Sequence, residues 1–197
     1  LHLMPLTHSA PLNLLLVGAT YAGAANVIGD FMPKELLAIT SQEKTTHFFG
    51  APVAYLLTAQ QPDFDQYDLS SARYWIYGGA PMTREQVLLV QSKYPGKIVS
   101  VYGLTESGPN GMALYDEEHP EHAGTIGCRG TVNVETKVVD EGGKEVIPGE
   151  IGEIIMRCPS LMNGYWNNPE ATAEAIKDGW LYTGDVAKVN EEGYYTI

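Results

Sequence analysis

The chain is short of several things, and each shortage excludes something. It holds only two cysteines in 197 residues, Cys128 and Cys158. Two are too few for a disulfide framework, and their separation suits no CxxC metal pair. Both are expected as structural thiols in a reducing compartment. Basic residues are scarce as well: 12 Lys and Arg stand against 24 Asp and Glu, a formal charge of −12. Such a surface repels phosphate backbones, which argues against a nucleic-acid partner. A small nucleotide is not excluded, because a local pocket can present amides and a metal ion. Long apolar runs are missing. The most apolar stretch, Leu12 to Ile28, is broken by Gly18, Gly23 and Asn26, too short and too interrupted to span a membrane. A basic leader with a cleavage site is missing too. At most peripheral membrane contact and a cytoplasmic location are expected. There is no HExxH spacing, no nucleophile elbow and no Ser-His-Asp order. Charged and low-complexity runs, the marks of disorder, are lacking.

What is present alternates strand and helix patterns. Leu12 to Tyr21 can form an apolar helix, and Ala25 to Ile28 a short strand. Pro33 and Pro52 each suit a first helical turn, opening helices to Gln42 and to about Gln60. Thr46–Phe49, Tyr74–Tyr77 and Ile98–Tyr102 read as strands, and Thr83 with Gln86 has the spacing of a capping box for a helix to about Tyr94. This alternation predicts a largely parallel sheet with helices on its faces. The second half changes character. Val132–Asp140, Glu150–Arg157, and Val186–Val189 paired with Tyr194–Ile197 around Asn190–Gly193 read as antiparallel strands. The expected organisation is an α/β lobe over residues 1–120 and a small antiparallel β-barrel over 121–197, with a short helix near 169–176. The polar stretch Glu117–Gly124 marks the boundary, and its His119 and His122 are expected in solvent.

Three strand ends carry small residues: Gly50-Ala51-Pro52, Gly78-Gly79-Ala80-Pro81 and Gly103-Leu104. Ligands of open α/β sheets bind outside the carboxyl ends of strands, and glycine there lets a ligand approach the backbone. One such end is an ordinary turn. Three on one edge predict a binding cleft. Tyr102-Gly103-Leu104-Thr105-Glu106 adds an aromatic ring that can stack on a base, a hydroxyl for a phosphate and a carboxylate for Mg²⁺. From the residues alone, Glu106 is equally a solvated loop carboxylate. Asp185, after Gly184, can accept both hydroxyls of a ribose or simply bond its own turn. His8 is a weak candidate, since lone histidines most often pack or cap.

Taken together these segments resemble the adenylate-forming superfamily, which includes acyl-CoA synthetases, aryl-CoA ligases, peptide-synthetase adenylation domains and beetle luciferases. Pro5 to Ala10 resembles the motif of the acyl pocket and thiol channel, and Tyr77 to Pro81 the glycine-rich strand end under the adenylate. Tyr102 to Pro109 resembles the adenine and phosphate motif. Gly149–Glu153 with Gly164-Tyr165 is similar to the next motif, and Tyr182–Asp185 to the ribose motif. Five motifs in the family's order make the resemblance specific. It implies ATP-dependent activation of a carboxylic acid to an acyl-adenylate, with AMP released on transfer to coenzyme A. Tyr102 and Gly103 would flank the adenine, with Gly78, Gly79, Ala80 and Pro81 as the floor. Thr105 and Glu106 would be catalytic, on the α-phosphate and Mg²⁺, and Asp185 would bind the ribose. His8, Gly50, Ala51, Gly79 and Ala80 would shape the acyl and CoA pocket.

The resemblance also implies gaps. The family's phosphate loop would precede these motifs, and its ribose arginine, hinge and catalytic lysine would follow them. The chain is therefore expected to be an internal piece of the larger N-terminal domain, unable to complete the reaction alone. Tyr77 and Thr7 stand where other residue types are common and are expected to reshape the acyl pocket. A fatty or related acid is the expected substrate, with an aryl acid as the runner-up. A non-catalytic nucleotide-binding or scaffolding module is the reading of another class. Oligomeric state is open.

Overall fold

Strand–helix alternation in the first half builds a parallel sheet. The computed structural model describes residues 1–197, which divide into two units. The first comprises Leu1–Val101 with Tyr115–Gly124, and the second Tyr102–Leu114 with Thr125–Ile197. The single cut expected near residue 120 is thus replaced by an interleaved division.

The first unit opens with a π-helical turn, Ala10–Val17, running into α1 (Gly18–Tyr21). The helix expected over Leu12–Tyr21 is present, with π rather than α hydrogen bonding in its first part and Pro11 in its first turn, where proline is tolerated. The expected strand Ala25–Ile28 reduces to one isolated parallel bridge, His2 to Ile28. Then follow α2 (Pro33–Glu43), β1 (His47–Gly50), α3 (Pro52–Ala59), β2 (Tyr74–Gly78), α4 (Arg84–Lys93), β3 (Lys97–Gly103) and α5 (His119–His122). Pro33 and Pro52 stand in the first turns of α2 and α3. The capping box forms as read: Gln86 N donates to Thr83 Oγ1 and Thr83 N to Gln86 Oε1 at 2.9 Å. β1, β2 and β3 are parallel in that order, with Phe48 beside Trp75, Trp75 beside Ile98, and Gly78 beside Val101.

Aromatic rings hold this unit together. Tyr55, Trp75 and Tyr94 meet edge to face, Trp75 and Tyr94 at 4.9 Å between centroids. Each polar tip finds a carbonyl: Tyr55 OH on Ile76 O at 2.6 Å, Trp75 Nε1 on Pro95 O at 2.6 Å, Tyr94 OH on Tyr55 O at 2.8 Å. A buried ring adds apolar area without leaving its polar atom unpaired.

His119 corrects an expectation. It is fully buried rather than solvated. Its Nδ1 lies 2.7 Å from Tyr115 O, a pure acceptor, so Nδ1 carries the proton and Nε2 accepts from Tyr77 OH at 3.1 Å. Tyr77 is 1% exposed in the same core, so its ring packs inward rather than widening a pocket. His122 is half-buried.

The second unit contains β4 (Gly111–Leu114), β5 (Glu135–Val139), β6 (Ile151–Arg157), α6 (Pro169–Ala175), β7 (Ile176–Lys177), β8 (Trp180–Val189) and β9 (Tyr195–Thr196). The antiparallel order is β5-β6-β8-β7, with β9 also on β8. The long β8 pairs with β7 at its start and β9 at its end, and the sheet curls as an open half-barrel. Its core gathers Met112, Val138, Ile154, Met156 and Leu181. Sequence reading missed β4 and β7. No helix is long and apolar enough to cross a membrane.

Burial holds the His119 pKa below its ordinary value, against the opposing pull of Tyr115 O, Asp116, Glu117 and Glu118. The unfolded chain binds a proton near pH 6.5 that the native state refuses. The stabilisation is therefore complete above that pH and is lost as pH falls through it. His119→Gln should lose less thermal stability than wild type between about pH 7.5 and about pH 5.5. Equal losses in the two proteins would show that His119 does not contribute. The comparison is differential because burial also lowers His2 and His47.

Candidate functional site

The parallel register of the first unit brings small residues to the carboxyl ends of its strands. Gly50 lies opposite Tyr77, and Gly78 opposite Val101. At Gly78 a Cβ would come within 2.7 Å of Val101 O, so no larger residue fits. Gly79 takes φ +80°, turning the chain off β2 into the exposed run Gly79-Ala80-Pro81. Gly50 is buried and Ala51 half-buried ahead of α3. His8 is exposed just before the π-helical turn, its N donating to Pro5 O at 3.1 Å.

In the second unit, Tyr102 to Glu106 folds as a strand end followed by a tight 3₁₀ turn over Thr105–Ser107. The backbone is packed closely here. A Cβ at Gly103 would lie 2.2 Å from Pro109 O. The buried Ser107 hydroxyl bridges back to Leu104 O at 2.9 Å, and Ser160 Oγ donates to Ser107 O at 2.7 Å. Both contacts stiffen the turn that carries Thr105 and Glu106.

Asp185 reaches this turn through a bulge. Between Glu153 and Ile155 of β6 lies one residue, whereas their partners Val186 and Tyr182 in β8 are separated by Thr183, Gly184 and Asp185. The extra length in β8 kinks the strand, as bulges beside functional sites do. Gly184 takes φ +77° and donates to Glu153 Oε1 at 2.8 Å. Thr183 Oγ1 donates to Ile154 O at 2.7 Å and accepts from Asp185 N at 3.1 Å. The result is a 2.6 Å hydrogen bond from Tyr102 OH to Asp185 Oδ2. Burial, reinforced by Asp185, pushes the Tyr102 phenol well above its ordinary pKa, so it stays a donor at neutral pH.

Glu106 has a partner that the sequence reading did not assign. Tyr165 OH donates to Glu106 Oε1 at 2.9 Å. The only signal for this was that Tyr165 follows Gly164 in a family-like motif. A span of 59 residues hides the contact. Glu106 and Thr105 offer hard oxygen donors, the kind Mg²⁺ prefers. Nowhere are three or more His, Cys, Asp or Glu grouped to hold a metal ion. Cys128 and Cys158 are both free thiols.

Known proteins bear on this geometry. The AMP-binding enzyme family matches residues 1–166. The chain belongs to that family. It is 36% identical over 199 residues to a feruloyl-CoA synthase of Amycolatopsis sp, covering 98% of the chain and 39% of the relative. It is 38% identical to a long-chain-fatty-acid–CoA ligase of Bacillus subtilis (strain 168), over 85% of the chain and 30% of the relative. The N-terminal domain of FACL13 from Mycobacterium tuberculosis superposes with a TM-score of 0.90 at 30% identity, covering 99% of the chain and 49% of that structure. The chain thus spans about two-fifths of the length of the feruloyl-CoA synthase it matches. The expected α/β lobe followed by a small antiparallel β-barrel is borne out as a mixed sheet with flanking helices and a curled antiparallel half-barrel, the architecture of that domain.

Gly103→Ala should test the close packing. The new Cβ must displace the Pro109 backbone, so a loss of about 1–3 kcal/mol is expected. Chemical denaturation measures it, and an unchanged midpoint would mean the turn relaxes freely.

Proposed function

We propose that this chain supplies adenylate-binding residues of an AMP-forming, ATP-dependent carboxylic acid–CoA ligase. The observation that carries the reading is the hydrogen bond from Tyr102 to Asp185. It joins two family motifs 83 residues apart at 2.6 Å. In the second unit Tyr102 and Gly103 are assigned to the adenine and Asp185 to the ribose hydroxyls; in the first, Gly78, Gly79, Ala80 and Pro81 are assigned to the nucleotide. Thr105 holds the α-phosphate, and Glu106 binds the Mg²⁺ that neutralises phosphate charge. His8, Gly50 and Ala51, with Gly79 and Ala80, shape the acyl and CoA side.

The chemistry asks little of a general base, because the acid is already ionised near neutral pH. A carboxylate oxygen bonds to the α-phosphorus of ATP while the bond to pyrophosphate breaks. The coenzyme A thiol, losing its proton, then bonds to the acyl carbon, and AMP leaves with the former carboxylate oxygen. Both steps depend on alignment and charge stabilisation. The partners are small molecules, not nucleic acid. A cytoplasmic location is part of the proposal.

A fatty or related acid is the first reading of the substrate. An aryl acid is the second, favoured by similarity to a feruloyl-CoA synthase and to 4-coumarate–CoA ligase 2 of Nicotiana tabacum, the latter 37% identical over 196 residues. Acid-dependent pyrophosphate–ATP exchange by the ligase containing this chain decides between them. Exchange is expected with aliphatic acids, and Glu106→Gln should slow it by about 10²–10³-fold. Exchange with aryl acids alone would move the assignment to the second reading. A folded protein that exchanges with no acid would be a nucleotide-binding or scaffolding module instead.

A further inference from the structure

We propose that Tyr165 is a positioning residue that presets the Glu106 carboxylate for a divalent cation. The inference deepens the function proposed above and rests on its assignment of Glu106. A half-buried glutamate on a 3₁₀ turn has rotamer freedom that cation binding must remove. Tyr165 OH holds Oε1 at 2.9 Å, leaving Oε2 for the cation. The donor is neutral, so it orients the carboxylate without cancelling the charge that attracts the metal. A lysine there would compete.

Tyr165 is itself held in place. Its N donates to Thr172 Oγ1 at 2.9 Å, and that hydroxyl donates to Asn168 O at 2.8 Å. Asn168 caps α6 by accepting from Ala171 N at 3.1 Å. Gly164 enters this loop at φ +149°, where a Cβ would lie 2.8 Å from Thr172 Cγ2. Met162 N donates to Glu106 O at 2.8 Å, so the loop is tied to the glutamate through backbone as well as side chain. The helix cap, the glycine and the loop together hold the Tyr165 backbone, and its hydroxyl reaches the carboxylate.

The test uses the ligase containing this chain, with Mn²⁺ as the spectroscopic probe for the cation. Tyr165→Phe should weaken Mn²⁺ binding in the presence of ATP by about ten-fold or more. Affinity for ATP without a divalent cation should not change, and excess Mg²⁺ should restore kcat. A merely structural role would leave the cation dependence alone. Full Mn²⁺ affinity in Tyr165→Phe, with binding lost in Glu106→Gln, would overturn the positioning role and leave the proposed function standing. Full affinity in both variants would overturn both. Should Tyr165→Phe fold poorly, Thr172→Val, which removes the hydroxyl that holds Tyr165 N, should weaken Mn²⁺ binding in the same direction. Full Mn²⁺ affinity in that variant would overturn the positioning role.

Discussion

Close backbone approach is the constraint on which the second unit depends. A Cβ at Gly111 would lie 2.0 Å from Tyr102 O, and one at Gly103 2.2 Å from Pro109 O. Only glycine lets the end of β3 and the start of β4 run so near each other. That approach folds the chain back within a few residues, so that Tyr102 and the Thr105–Ser107 turn project from a rigid base. Steric exclusion, not a favourable contact of the glycines, does this. Energy is then supplied by the neighbours that close in: Ser107, Ser160 and the buried Met112.

The bulge in β8 works by the same economy of backbone. A regular strand would keep Thr183, Gly184 and Asp185 in step with β6. The added length breaks the ladder, and the freed groups are satisfied locally by Glu153, Ile154 and Thr183. Leaving them unpaired would cost about 1–3 kcal/mol for each buried group. Asp185 then meets Tyr102. Two acidic residues of this unit, Asp185 and Glu106, each accept from a tyrosine hydroxyl. A neutral donor orients a carboxylate without cancelling its charge.

The first unit shows a different logic. Its sheet is stabilised by interlocked rings whose polar tips reach carbonyls, and His119 and Tyr77 extend that pattern to a buried pair. Tyr77 stands at the last side chain before the Gly78-Gly79 shelf. Its inward packing fixes where that shelf leaves the sheet, which is a structural role rather than the pocket-shaping one its identity suggested.

Much of this was legible in the residues because the controlling physics is local. Proline at Pro33 and Pro52, the Thr83–Gln86 pair, the β1 to β3 patterns and the Asn190–Gly193 hairpin act over a few positions, and the structure follows them. The family resemblance singled out Tyr102, Thr105, Glu106 and Asp185, and the structure brings Tyr102 to Asp185. Burial of His119, the bulge in β8, β4 and the grip of Tyr165 on Glu106 were not legible. Each depends on which distant segments meet. A histidine in a polar stretch is solvated or buried according to what covers it, and no spacing in the chain records the cover. Extra residues in a strand, two in β8, are visible only against the partner strand they fail to match. Residue types and local pattern thus determined the family, the strand–helix alternation and the chemical groups available. Tertiary structure decided which of those groups touch, because contacts across 59 and 83 residues are set by packing and not by sequence neighbours.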